Sequence, residues 1–256
     1  MYALVTGASS GMGLQYATML ARDYHYDILL VSNQEQQLQE VAAMLHEQYG
    51  VETHYLYMNL AEADAAEQIY AYTEEHHLEV EVLVNNAGFL FFEEMTDVPV
   101  AKIQTMLMLH IVTATTLCRL FAPQMTERRR GYILNMSSMT AWMSMPGIQV
   151  YNATKAYLLN FSRAFWYEMH RVGVHVLAVT PGSTDTGLLP FDPKFARLLR
   201  FVGITMSPDK LVQRALHVLF CTHRKTCMPG AWNRVIVPII NHLPDWVVFA
   251  AMKRLK

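Results

Sequence analysis

"YALVTGASSGMG", residues 2–13, is the stretch on which the fold turns. Its first residues, Tyr2 to Val5, form a continuous apolar run that suits a strand covered on both faces, and Gly7 ends it. From Met12 to Asp23 apolar residues return at helical spacing, at Leu14, Ala17, Met19, Leu20 and Ala21. Between strand and helix stand Gly7, Gly11 and Gly13, which permit a tight turn and a close approach of backbone to ligand. A helix opening behind such a turn offers unpaired N–H groups and a partial positive charge, which suits a pyrophosphate. Gly7, Ser9, Ser10, Gly11, Met12 and Gly13 are therefore candidate phosphate-side residues.

The same alternation continues along the chain. "DILLVS" (27–32) reads as a second strand, followed by a polar helix from about Glu35 to Tyr49. Further strands are expected in "THYLYMNL" (53–60), "VEVLVNNAG" (80–88), "GYILNMSS" (131–138) and "VHVLAVTPG" (174–182), with a last short one at "NRVIVP" (233–238). Strands apolar at nearly every position, alternating with helices, predict βαβ units in one doubly wound parallel sheet, a three-layer α/β/α Rossmann arrangement. No linker, repeat or low-complexity tract divides the chain, so one domain over 1–256 is expected. The glycines, asparagines and serines gather at the carboxyl ends of these strands, where doubly wound sheets bind ligands.

Composition narrows the function. The 256 residues are 52% hydrophobic and 16% charged, with a net charge of −2, which provides no basic field for nucleic acid. Arg128, Arg129 and Arg130 read as a solvated turn. Cys118, Cys221 and Cys227 have neither zinc-like nor redox-like spacing, and no metal site is expected. The first strand begins at once, without signal-peptide regions, and no uninterrupted apolar run reaches the ~18 residues of a membrane span. A cytoplasmic chain without a transmembrane segment is the expectation.

"YNATK" (151–155) places a phenol and an ammonium one helical turn apart on one face. An ammonium beside a phenol favours the phenolate and lowers its pKa from ~10 toward neutrality. Ser137 and Ser138 precede it by a short loop.

The glycine loop, "NNAG" (85–88), a serine thirteen residues before tyrosine, "YNATK" and "PGSTDT" (181–186) occur in this order. Together they resemble the short-chain dehydrogenase/reductase family in its single-domain, non-extended form, over residues 1 to 187. The resemblance implies a nicotinamide cofactor and the interconversion of a secondary alcohol and a ketone. By it, Tyr151 is the acid/base, Lys155 tunes it and holds the nicotinamide ribose, and Ser138 orients the substrate. Asn86, Ala87, Gly88, Pro181, Gly182, Thr184 and Thr186 are implied on the cofactor, with Asn59 and Leu60 beside the adenine. His110 stands where the family commonly has an asparagine that helps hold a water. It is a candidate for a proton relay.

After the second strand, Ser32 and Asn33 replace the acid by which family members using NAD grip the ribose; the missing acid tips the expectation to NADP(H) over NAD(H). Trp142, Met143, Met145 and Ile148, with Leu188, Leu189, Phe191, Phe195, Leu198 and Phe201 in a lid over about 187–206, predict an apolar pocket. Its small hydrophobic substrate would be steroid-, bile-acid- or acyl-like. Ser207 and Pro208 predict a helix start. The tail from about 243 to 256 is amphipathic, and the resemblance implies a homodimer or homotetramer through helices at 101–124 and 151–172. Two other readings are a catalytically weakened cofactor-binding sensor or scaffold, and a 3-oxoacyl reductase.

Overall fold

The computed structural model describes residues 1–182, 206–242 and 244–246. The strands are β1 (Tyr2–Thr6), β2 (Asp27–Ser32), β3 (Thr53–Tyr57), β4 (Val80–Asn85), β5 (Gly131–Met136), β6 (Val174–Val179) and β7 (Thr226–Cys227). They form a parallel sheet in the order β3-β2-β1-β4-β5-β6-β7. The order reverses between β1 and β4, and this switch point opens the crevice in which the glycine loop lies.

Successive strand residues point to opposite faces, so each strand feeds two cores. Ala3 and Val5 pack with helices α1 (Gly11–Tyr24) and α2 (Glu35–Tyr49) and with a later helix at Pro208–Cys221. Leu4, Leu29 and Leu83 face the other side, beneath α3 (Ala65–Glu75) and the long helices that follow. Each of these three leucines is fully buried, a gain of about 1.5–3 kcal/mol apiece. Ser207 N-caps the helix at Pro208–Cys221, with proline at its first position.

One unbroken helical run spans α4 (Val100–Leu107), a π-helical turn (Met108–Thr113) and α5 (Ala114–Arg128). By length and composition this run could cross a membrane; here Leu117, Cys118 and Phe121 of α5 are buried against the sheet. The helix α6 (Gln149–His170) carries "YNATK". Helix α7 is the one at Pro208–Cys221, and α8 spans Ala231–Asn241.

Two expectations are corrected here. "NRVIVP" lies within α8, and the last strand is the earlier Thr226–Cys227, paired with Ala178 and Val179. Asn233 and Val237 are buried while Val235 and Ile239 are exposed, so the run buries one face of a helix; a short apolar run does not reveal its own period. The arginine cluster is not simply solvated. Arg128 donates to Val80 O at 2.8 Å and pairs with Glu79 at 3.2 Å, and Arg130 pairs with the buried Glu81 at 2.8 Å. Arg129 is the left-handed C-cap between them.

Candidate active site

The glycine loop is stitched to the end of β4. Thr6 Oγ1 accepts from the N–H of Asn86 (2.9 Å) and of Ala87 (3.0 Å), and Asn86 Nδ2 donates to Thr6 O at 3.0 Å. Gly7 turns at φ 66° and Gly11 at φ 55°, conformations that disfavour a side chain. At Gly13 a Cβ would overlap the Gly7 carbonyl, so the helix can start this close to the strand only with glycine there. Gly13→Ala is expected to lose about 1–3 kcal/mol of stability by overpacking and to weaken cofactor binding, read by thermal unfolding and ligand titration.

Above the loop lies a cavity of about 350 Å³, lined by Gly7, Ser9, Ser10, Gly11, Met12, Ser32, Asn33, Asn59, Leu60, Asn86, Ala87 and Gly88. Ser10 is the N-cap of α1 yet makes no side-chain capping bond, which leaves first-turn N–H groups to an anion. These residues fit a dinucleotide, since a Cβ at Gly7 would collide with Ala87 and one at Gly13 with the Gly7 carbonyl, so only glycine lets the loop close this tightly beneath the cavity. The fold thus gathers at one crevice the residues singled out at the ends of β1 to β4. Pro181 and Gly182 lie beyond β6, while Thr184, Thr186 and the lid residues fall outside the described residues.

Sequence reasoning missed several lining residues, Gln34, Met58, Phe89 and Leu109. Gln34 follows Ser32 and Asn33 directly, and its Oε1 accepts from Ser9 Oγ at 2.7 Å, while Ser9 and Ser32 hydroxyls lie 2.9 Å apart. Asn59 and Leu60 line the cavity; the Asn59 side-chain oxygen accepts from Ala61 N at 3.1 Å, a local turn that a short asparagine makes readily, and keeps a second lone pair for a donor.

The catalytic candidates converge from three elements. Ser138 ends the strand β5 loop, and its Oγ accepts from Thr140 N at 3.2 Å. Lys155 Nζ, buried, donates to Met136 O at 2.8 Å and lies 5.5 Å from the Tyr151 ring centre. Beneath them Asn85 Nδ2 donates to Asn135 Oδ1 and Asn135 Nδ2 to Ser162 Oγ, both at 2.8 Å. This buried chain fixes α6 against the sheet, so Tyr151 cannot drift from Ser138.

The pKa expectation for Tyr151 is corrected. Burial holds the phenol above its ordinary value, and the hydrogen bond with Ser138 only partly offsets this. Burial also drives Lys155 from 10.5 down to about 8, so it is still an ammonium at neutral pH, yet burial and not this charge decides the direction of the Tyr151 shift. Tyr151 accordingly holds its proton at neutral pH.

His110 lies inside the π-helical turn, buried. Its Nε2 accepts from Phe89 N at 3.1 Å, so Nδ1 carries the proton and meets Thr154 Oγ1 at 2.9 Å. Thr154 Oγ1 donates in turn to Tyr151 O at 2.8 Å. Burial, with the Lys155 charge adding, holds the imidazole well below its ordinary pKa, so it is neutral. Both nitrogens are committed to bracing the turn after "NNAG" against α6. His110→Leu would strand the Phe89 N–H and is expected to cost about 1–3 kcal/mol. Because the folded pKa is depressed, stability falls as pH drops below 6.5; denaturation across pH should give a shallower acid slope in the variant.

The apolar wall is only partly where it was expected. Met143 and Ile148 are buried core, and Trp142 stacks under Arg163, 5.6 Å from its ring centre. Tyr151, like Phe89 and Val150, packs instead against the small cluster of Phe91, Val98 and Met106.

Comparison with known proteins agrees with this geometry. The family model for short chain dehydrogenases matches residues 1–193. The chain is 37% identical to the very-long-chain 3-oxoacyl-CoA reductase of Anas platyrhynchos, over 93% of this chain and 75% of that protein. It is 30% identical to the inactive hydroxysteroid dehydrogenase-like protein 1 of Rattus norvegicus, over 96% and 73%. A solved 7beta-hydroxysteroid dehydrogenase superposes with a TM-score of 0.86 at 27% identity, covering 97% of this chain and 95% of that one. The chain belongs to the short-chain dehydrogenase/reductase family and is an NAD(P)-dependent oxidoreductase.

Proposed function

We propose that the protein interconverts a secondary alcohol and a ketone on a hydrophobic substrate, steroid-like or acyl-like, using NADP(H) in preference to NAD(H). The observation that carries this is Tyr151, a half-buried phenol hydrogen-bonded to Ser138 with its pKa raised, one helical turn from Lys155. The bound nicotinamide supplies or accepts the hydride. Tyr151 Oη gives its proton to the carbonyl oxygen in reduction, and a phenol that holds its proton is suited to that direction. Ser138 Oγ accepts from Thr140 N, and its O–H, which donates to Tyr151, can turn to the substrate oxygen as charge develops. Lys155, bonded to Met136 O, has two further N–H donors for a ribose.

The NADP(H) preference rests on the uncharged set of Ser9, Ser32, Asn33 and Gln34, which lacks the acid that would repel a 2′-phosphate. The apolar substrate is supported by the apolar cluster of Phe91, Val98 and Met106, against which both Tyr151 and Phe89 pack, and by the names of the relatives. The test is a turnover screen of steroid ketones and 3-oxoacyl thioesters with NADPH, with Tyr151→Phe as control; no turnover on either class would sink the substrate assignment. Exposed Val112 and Tyr157, with Tyr157 joined to Thr115 across α5 and α6 at 3.2 Å, support a homo-oligomer through these helices. Three free cysteines suit a reducing cytoplasm.

A further inference from the structure

Helix α8, where a strand was expected, reaches into the site through one side chain. Asn233 is 3% exposed, and its Nδ2 donates to Pro229 O at 2.6 Å. Its Oδ1 is buried and accepts no hydrogen bond, a cost that a fold rarely leaves without purpose. The amide lies flat against Gly182: a Cβ there would meet both Oδ1 and Nδ2 at 2.5 Å. Pro181 O, one residue back, accepts from Met139 N at 2.8 Å, and Met139 follows Ser138. Helix α8 also packs on the turn Met139–Trp142 that Ser138 caps.

We propose that Asn233 is a positioning residue that sets the backbone of Pro181–Gly182, and through the Pro181–Met139 bond the placement of Ser138. The inference rests on the reading of Pro181–Gly182 as a cofactor-side turn. The amide works as a wedge, held from behind by Pro229 O and pressing on a residue that has no side chain to yield. Glycine at 182 and asparagine at 233 are in this view one device, each fixed by the volume of the other.

The experiment is a double-mutant cycle of Gly182→Ala and Asn233→Ala, read by fluorescence titration with NADPH and by hydrogen exchange at the Met139 amide. Asn233→Ala should speed exchange at Met139 and weaken NADPH binding about tenfold, which corresponds to about 1.4 kcal/mol of binding free energy. Gly182→Ala alone should weaken binding further, and the double variant should bind more tightly than Gly182→Ala, because the space vacated at 233 admits the new methyl. Unchanged Met139 exchange and unchanged affinity in Asn233→Ala, or no recovery in the double variant, would overturn the proposal. If the unmutated protein binds no NADPH, the cofactor reading fails as well; faster Met139 exchange in Asn233→Ala would still establish the wedge itself. Should Gly182→Ala not fold, Asn233→Ala decides alone, since a merely structural residue would lower thermal stability and leave both readouts unmoved.

Discussion

Tyr151→Phe is expected to lower kcat by about 10²–10⁴-fold while leaving cofactor affinity within a few-fold of the unmutated protein. The change removes one oxygen and keeps the ring, so its packing against Phe91, Val98 and Met106 survives. What is lost is the phenol hydrogen-bonded to Ser138 and placed beside Lys155, hence the proton that must reach the carbonyl oxygen as hydride arrives. Ser138 can still polarise that oxygen, so a residual rate is expected. Stopped-flow turnover beside cofactor titration separates the two effects. Full turnover in the variant would remove Tyr151 from the mechanism; absence of turnover in the unmutated protein would favour the sensor or scaffold reading.

Lys155→Met should have the next largest effect. Loss of a donor aimed at developing charge costs about 10²–10³ in kcat, and loss of its ribose contacts should weaken cofactor binding too. The same change should stabilise the fold near neutrality, because a buried ammonium is a liability. Its pKa falls from 10.5 to about 8 on folding, and at about 1.36 kcal/mol per unit this corresponds to roughly 3 kcal/mol. The sign follows from proton counting. Between pH 8 and 10.5 the unfolded chain binds this proton and the folded chain does not, so stability rises with pH in that window. Unfolding free energies of the two proteins should therefore converge as pH rises through it. A constant difference across the window would mean that Lys155 is not buried as an ammonium at neutral pH.

Much of this architecture was legible in the sequence because its signals are local. The run from Tyr2 to Gly13 carries strand, turn and helix in sequence-adjacent residues, and the spacing of Tyr151 and Lys155 is a property of any helix. The rest depended on contacts distant in the chain. "NRVIVP" is apolar enough for strand or helix, and only the pairing of Thr226–Cys227 with β6 decides that the edge is already taken. His110 reads as a relay candidate from its chemistry alone; its two nitrogens are claimed by Phe89 and Thr154, 21 and 44 residues away. The direction of the Tyr151 shift could not be read either. The lysine four residues on was visible, whereas the burial that raises the phenol comes from packing against Phe91, Val98 and Met106, which are distant in the chain. Asn233 carried no motif, and its meaning appears only beside Gly182.

A side-by-side fluorescence titration of the purified protein with NADPH and NADH decides whether the glycine loop holds a dinucleotide. Saturable binding of both, tighter for NADPH, is the predicted result, since the crevice between β1 and β4 is built for the pyrophosphate and nothing acidic at Ser32 or Asn33 repels a 2′-phosphate. Binding of neither would contradict the reading of the glycine loop, and with it the role assigned to Tyr151.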